Sequence, residues 1–268
     1  MSVGAINNPT AFSVYTNYAS SSIQLTKSMN RLATGVKTVG DDGAGVGISE
    51  RMRSQARSSA MARNNVENGI SALQTADSWM QRVSDMLGRM HELAIESNDA
   101  TKTDTDRTNI QSEFGQLQSE INRVVGTAAK FNGKGLLNGS VNGNTQVGAD
   151  SGQTIKLSIT SALSVLSGIG TVSNAGSAAT QITKVQTAID NVAKYRAGVG
   201  GLQSRFEHTR AGLLTYEDNI RAAESKIRDV DMARESSEMT KQQILSQVGN
   251  AMLAQANQLP SGVLQLLG

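Results

Sequence analysis

The chain has 268 residues, with 25 lysines and arginines against 23 aspartates and glutamates, a net charge of +2 and no cysteine. This near balance excludes the broad basic footprint of a nucleic-acid-binding protein, and the lack of cysteine excludes disulfides and thiolate metal sites. Hydrophobic residues make up 38% and aromatics only 3%, so the core must be built mainly from Ala, Leu, Ile, Val and Met at helical spacing. The two prolines, Pro9 and Pro260, stand near the ends, and the interval between them has none, where average usage would place about a dozen. Because proline breaks helix interiors and central strands, long uninterrupted helices are predicted. Charge is segregated as well: residues 1–40 hold no acid and only Lys27, Arg31 and Lys37, and residues 242–268 hold no charge. The N-terminus shows neither the basic region nor the apolar stretch of a secretory signal, and no run is long and apolar enough for a membrane span.

In chain order, the first predicted helix carries Phe12, Tyr15, Ala19, Ile23, Met29, Leu32 and Val36 as one apolar face, with Thr10 as its cap. Asp41-Asp42-Gly43-Ala44-Gly45 reads as a hinge. A long helix follows at about residues 44–98, with a seam through Val66, Ile70 and Leu73 and then Ala76, Met80, Val83, Leu87, Met90 and Ala94. The polar loop 97–104 ends it, and Asp104 or Thr105 is placed to cap a second helix at 105–128. That helix has Ile110, Phe114, Leu117, Ile121, Val124 and Ala128 alternately four and three residues apart. Residues 131–180 are rich in Gly, Ser, Thr and Asn, and Thr145–Val147 and Thr154–Ile159 read as the strands of a hairpin. A third helix is predicted at 180–232. Its seam runs from Leu202 through Phe206, Thr209, Leu213, Tyr216, Ile220, Ala223 and Ile227 to Val230, a strict heptad pattern, and a similar run from Val185 to Val199 joins it with a one-residue slip. At about 1.5 Å per residue the first and third long helices are each roughly 80 Å rods, stable only when bundled. The last helix has Ile244, Val248, Met252, Gln255, Leu259, Val263 and Leu266 on one face, and Pro260 should kink or end it. The fold class is therefore mainly α: a long antiparallel helical bundle or coiled coil with a small β-hairpin region and paired terminal helices.

Chemistry-bearing patterns are weak. His91-Glu92 begins like a zinc-protease motif, but Ile95 stands where the second histidine belongs and His208 is the only other one. Gly43, Gly45 and Gly47 lack the strand and the Gly-Lys-Ser/Thr of a phosphate loop. Asn138-Gly139-Ser140 is a glycosylation sequon by pattern and a turn by composition. With no nucleophile, base and orienter in prospect, the chain is read as a non-enzyme with no catalytic, cofactor or metal site.

Several segments carry a family resemblance. Leu32-Ala-Thr-Gly35, Asp41-Asp42-Gly-Ala-Gly45, Ile48-Ser-Glu-Arg-Met-Arg-Ser-Gln55, Asn68-Gly-Ile-Ser-Ala-Leu-Gln-Thr-Ala76 and Phe131-Asn-Gly-Lys-Gly-Leu-Leu137 resemble the N-terminal half of bacterial flagellins. Gly200-Gly-Leu-Gln-Ser-Arg205, the stretch from Asn219 to Ala233, and Ala251-Met-Leu-Ala-Gln-Ala-Asn-Gln-Leu-Pro260 resemble the C-terminal half. Together they cover about residues 1–138 and 182–268.

The resemblance implies a structural subunit that polymerises into the extracellular flagellar filament for motility. A hook–filament junction protein of the same fold is the alternative, and a membrane-active type III translocator a more distant one. Its implied domains are 1–40 and 234–268 as two parts of an inner core, 41–180 as the N-terminal rod helices with the hairpin region, and 181–233 as the C-terminal rod helix. The middle, about 45 residues, marks a minimal form without large outer domains. Polymerisation falls on Phe12, Tyr15, Ile23, Met29, Leu32, Ile244, Val248, Met252, Leu259 and Leu266, and the connectors on Asp41, Asp42, Gly43, Arg228, Asp229 and Asp231. Implied partners are other copies of the chain, hook-junction and cap proteins, and a cytosolic export chaperone on the C-terminal helix, with export by the flagellar type III pathway. Arg89, Leu93 and Glu113 match positions at which a flagellin-sensing Toll-like receptor recognises the rod. The residues themselves agree on self-assembly. Uncharged amphipathic ends gain burial against neighbours, and head-to-tail contacts that do not close generate helical filaments.

Overall fold

The computed structural model describes residues 9–159, 161–162 and 167–267. Helix α1 (Pro9–Thr34) starts on its proline, whose fixed φ and missing N–H suit the first helical position, so Thr10 lies inside the helix rather than capping it. It closes at Gly35, where a φ of 70° gives the left-handed turn and the N–H reaches the Arg31 carbonyl at 2.8 Å. Helix α2 (Gly43–Ser97) begins inside the segment expected to hinge, because Asp42 caps it: Oδ1 accepts the Gly45 N–H at 2.8 Å.

Helix α3 (Asp104–Arg123) is capped by Thr103, one residue before the expected Asp104. The Thr103 hydroxyl accepts the Asp106 N–H at 3.3 Å and the Asp106 carboxylate accepts the Thr103 N–H at 3.0 Å, a reciprocal box. Beyond Arg123 the helix widens into a π-helical turn, Val124–Ala128, where the Ala129 N–H bonds the Val124 carbonyl at 3.1 Å. A hairpin not read from the sequence follows. Strands β1 (Lys130–Phe131) and β2 (Lys134–Gly135) are joined by Asn132 and Gly133, both with positive φ, the two-residue turn that Asn-Gly favours.

Strands β3 (Asn142–Gln146) and β4 (Thr154–Ser158) pair antiparallel, Asn142 opposite Ser158 and Gln146 opposite Thr154. The first begins three residues earlier than expected, since the ladder continues through Gly143 and Asn144, residues of low strand propensity. Its loop is closed by the Val147 N–H on the Gln153 carbonyl (2.9 Å) and by the Gln146 amide on the carbonyls of Gly148 and Asp150 (2.8 and 2.6 Å). Helix α4 (Ala175–Arg228) is capped by Asn174, whose Oδ1 accepts the Ser177 N–H at 2.8 Å; it thus starts before residue 180 and stops before 232. Helix α5 (Met232–Leu267) is capped by Asp231 and runs on through Pro260, where the proline removes only one donor.

The chain divides into two compact units, residues 55–219 and a second formed from the segments up to 54 and from 220 onward. This division crosses α2 and α4, whereas the domain boundaries drawn from the sequence follow the connectors. The core lies in the 55–219 unit, where the predicted seams meet: Leu73, Met80, Leu87, Met90 and Leu93 of α2, Phe114 and Ile121 of α3, and Val185, Val192, Val199 and Phe206 of α4 are buried together. Gly69 is the close-approach point. A Cβ there would sit 3.0 Å from the Phe206 ring, so the ring packs on bare helix. Arg196, on the apolar spacing of α4, is held by Asp77 at 2.8 Å and by Gln81. Segment 169–172 is tied down by side chains: the Gln118 amide donates to the Ile169 carbonyl (3.0 Å), Gln181 accepts the Gly170 N–H (2.8 Å) and Gln111 the Val172 N–H (2.5 Å).

Phe206→Ala removes a fully buried ring and leaves a cavity against Gly69, a loss of about 3–5 kcal/mol. Denaturant unfolding followed by Trp79 fluorescence, the chain's single tryptophan and a neighbour of this core, will read it.

Candidate interaction surfaces

Helices α1 and α5 pack on each other along a seam that differs from the faces expected. On α1 the inward residues are Val14, Tyr18, Ser21, Leu25, Ser28 and Leu32, again at alternate spacings of four and three; Ser28 is buried and the others half-buried. On α5 they are Gln242, Ser246, Gly249, Leu253 and Ala256. Tyr18 comes close to Gly249, where an added Cβ would meet the tyrosine ring at 3.3 Å. The α5 side is thus mostly small or polar, which lets it take the larger side chains of α1 at close approach.

The bulky residues chosen from the sequence face outward. Phe12 is 70% exposed, Tyr15 59% and Ile23 58%, and Met29, Ile244, Val248 and Met252 are each more than half exposed. Only Leu32 of the described side chains belongs to the seam. Leu259 and Leu266 lie on the α5 backbone, and their side chains fall outside the described residues. Leu245 adds to the exposed set. A row of large apolar groups on water is unfavourable by roughly 25 cal/mol per Å² against burial, and marks an interaction surface.

The connectors between these helices and the long ones also meet. Val36 and Asp229 form an antiparallel bridge, with the Lys37 N–H on the Arg228 carbonyl at 2.8 Å and the Val230 N–H on the Gly35 carbonyl at 3.1 Å. Arg228 pairs with Glu50. Asp41 Oδ2 accepts the Thr38 N–H (3.0 Å) and hydroxyl (2.8 Å), and Oδ1 accepts from Arg31 at 3.1 Å. The backbone donor of Thr38 foremost, then its hydroxyl and the positive charge of Arg31, hold the Asp41 carboxyl below its ordinary 3.8. Of the other connector residues, Asp42 and Asp231 act as helix caps and Gly43 opens α2. Arg31 and Glu235 were not singled out from the sequence, although Arg31 is one of only three charges in the first 40 residues and Glu235 the only acid in the first turn of α5.

On the other unit Arg89 and Glu113 come together on the surface, Nε to Oε1 at 2.8 Å, with Glu92 on the same guanidinium at 3.1 Å; these carboxylates raise the Arg89 pKa. Leu93 is 1% exposed and belongs to the core cluster, so it does not extend this surface.

Comparison with known proteins finds two family models that match the chain. The model of the bacterial flagellin N-terminal helical region matches residues 6–142, and that of the C-terminal helical region matches residues 182–267. A flagellin of Halalkalibacterium halodurans is 41% identical, covering 97% of this chain and 98% of that protein. The flagellar filament 33 kDa core protein of Treponema phagedenis is 36% identical over the same shares. The crystal structure of Bacillus cereus flagellin is 28% identical, with a TM-score of 0.53, covering 56% of this chain and 88% of that one.

A depressed carboxylate stabilises the fold at pH values above its unfolded pKa, and that contribution is lost as pH falls through the lower folded value. The Asp41 contribution is therefore constant at neutral pH and disappears below the ordinary 3.8. Hydrogen-exchange protection of the Lys37 and Val230 amides will stay level near neutrality and drop in strong acid, and Asp41→Asn will show the lower protection at neutral pH already.

Proposed function

The chain belongs to the bacterial flagellin family, and from that premise we propose how it serves as a structural subunit of the flagellar filament. The observation that carries the proposal is the split between the two faces of the terminal helices. Their inward faces pack on each other, Val14, Tyr18, Leu25 and Leu32 of α1 against the mostly small and polar face of α5, and a second set of large apolar residues is left outside. In the polymer Phe12, Tyr15, Ile23, Met29, Ile244, Val248 and Met252 pack on neighbouring copies, and Leu32 acts through the α1–α5 seam. Leu259 and Leu266 are assigned to the same packing from the sequence pattern.

The domain assignment follows: residues 1–40 and 234–268 form the inner core and 41–233 the rod, with Asp41, Asp42, Gly43, Arg228, Asp229 and Asp231 in the connectors. The work is mechanical rather than catalytic. The subunit reaches the cell exterior by the type III pathway, with a chaperone on the uncharged end of α5 and hook-junction and cap proteins at the filament ends. Free subunits meet the Toll-like receptor through Arg89 and Glu113, whose paired charges stay accessible. Leu93, buried in the core cluster, does not extend that surface. Arg89→Ala in monomer will lower receptor signalling and leave filament growth intact, as measured by a reporter-cell assay beside a growth assay.

Seeded growth followed by negative-stain electron microscopy tests the main proposal. Val248→Glu or Phe12→Glu places a charge on an outward apolar face and will stop elongation, and the parent chain will extend the seeds. Deletion of 242–268 will leave a soluble monomer. Filaments of parental yield from either glutamate variant would overturn the assignment of these faces to polymer contacts.

A further inference from the structure

The α1–α5 seam has a weakness that the fold must answer. On α5 four of the five inward positions are small or polar, so the knobs of α1, Val14, Tyr18, Leu25 and Leu32, meet few large partners there, and interlocking knobs are what hold one helix at a single height along another. The α5 spacing repeats, so a slide along the axis finds similar small groups again. Register then gains from a directional polar contact beside the backbone bridge of the connectors, and Arg31 supplies one from its side chain.

Arg31 stands in the last turn of α1 and its guanidinium touches three elements. Nε and Nη2 both donate to Oε1 of Glu235 on α5, at 2.9 and 2.7 Å. Nη1 donates to Oδ1 of Asp41 in the connector at 3.1 Å. Nη2 also reaches the hydroxyl of the buried Ser28 at 3.3 Å. The group is largely withdrawn from water: side-chain exposure is 20% for Arg31, 9% for Asp41 and 13% for Glu235. Asp41 is itself fixed by Thr38, so the fork closes on an acceptor that does not wander. A planar guanidinium with donors in fixed directions enforces such a geometry where a lysine ammonium would not.

We propose that Arg31 is the positioning residue for assembly. By holding Glu235 and Asp41 at once, it sets the height of α1 on α5 and ties that height to the bridged connectors, so the outward apolar residues of both helices form one surface in a fixed pattern. This deepens the filament reading and rests on it for the consequence in the polymer. The register itself is a property of the single chain. Loss of the guanidinium leaves two secluded carboxylates without their cation, and a fall of about tenfold in the correctly registered population is expected.

The chain has no cysteine, so a pair can be introduced as a ruler. A Cβ at Gly249 lies 3.4 Å from the Cβ of Tyr18, close to the ~3.8 Å of a disulfide. A one-residue slip moves a helix position by about 1.5 Å and turns it by about 100°, out of reach. In monomeric Tyr18→Cys/Gly249→Cys protein, oxidation will close the intramolecular disulfide. Adding Arg31→Ala will slow closure about tenfold, adding Glu235→Gln will slow it comparably, and Arg31→Lys will fall between. Without the cysteines, seeded elongation will follow the same order, and Trp79 emission, which reports the other unit, will not change. Closure at the parental rate in both Arg31→Ala and Glu235→Gln overturns the positioning role, whatever happens to growth. If the disulfide rates keep the expected order and the parent chain does not extend seeds, Arg31 is upheld as the register residue and the filament reading fails separately.

Discussion

Two helices approach closely only where the side chains between them are small, and every bulky apolar group kept out of that seam must face somewhere else. In this chain Val14, Leu25 and Leu32 of α1 meet an α5 face made mostly of Gln242, Ser246, Gly249 and Ala256, with Tyr18 lying on the bare backbone of Gly249. The displaced bulk, from Phe12 to Met252, stands in water. The 55–219 unit solves the problem in the opposite way. There Leu73, Met80 and Leu87 of α2, Phe114 and Ile121 of α3 and Val192 and Phe206 of α4 are buried together, and at Gly69 the Phe206 ring rests on backbone. One unit holds the large core cluster and the other leaves a row of bulky apolar residues on its terminal helices exposed, which suits a building block.

Much of this was legible in the sequence. The alternating spacings of four and three from Ile110 to Val124 and from Val185 to Phe206 gave the seams of α3 and α4 almost residue by residue, because a continuous apolar stripe on a buried helix has one interpretation. The terminal helices were legible as helices but not in orientation. Two apolar faces compete there, and a reading by hydrophobicity selects Phe12, Tyr15 and Ile23 over Val14, Tyr18 and Ser21, since the inward face is poorer in bulk. The regular spacing from Val14 to Leu32 was the available signal.

Element boundaries escaped for local reasons. Thr103 and Asp106 cap each other three residues apart, and that pattern outranks the single acid at Asp104. Asn132-Gly133 marks a two-residue hairpin whose flanking strands are too short to show alternation. The Arg31 cluster joins residues from both ends of the chain, Ser28 and Asp41 with Glu235. No window along the sequence contains it. The family resemblance located the connectors, but the contact that closes them exists only once the ends have met.

The loop between β3 and β4 has a bearing on how such a chain changes over generations. Its two ends are pinned together by the Val147 and Gln153 backbones and by the Gln146 amide, so the strands below do not depend on the length of what lies between. Each doubling of a flexible loop costs only about 0.6 kcal/mol in closure entropy. A guest peptide entering at residue 149 would leave at nearly the same point in space, and the ladder from Asn142 to Ser158 would read it as a longer turn. An insert at this hairpin would therefore add surface to a subunit while leaving the strand ladder in place.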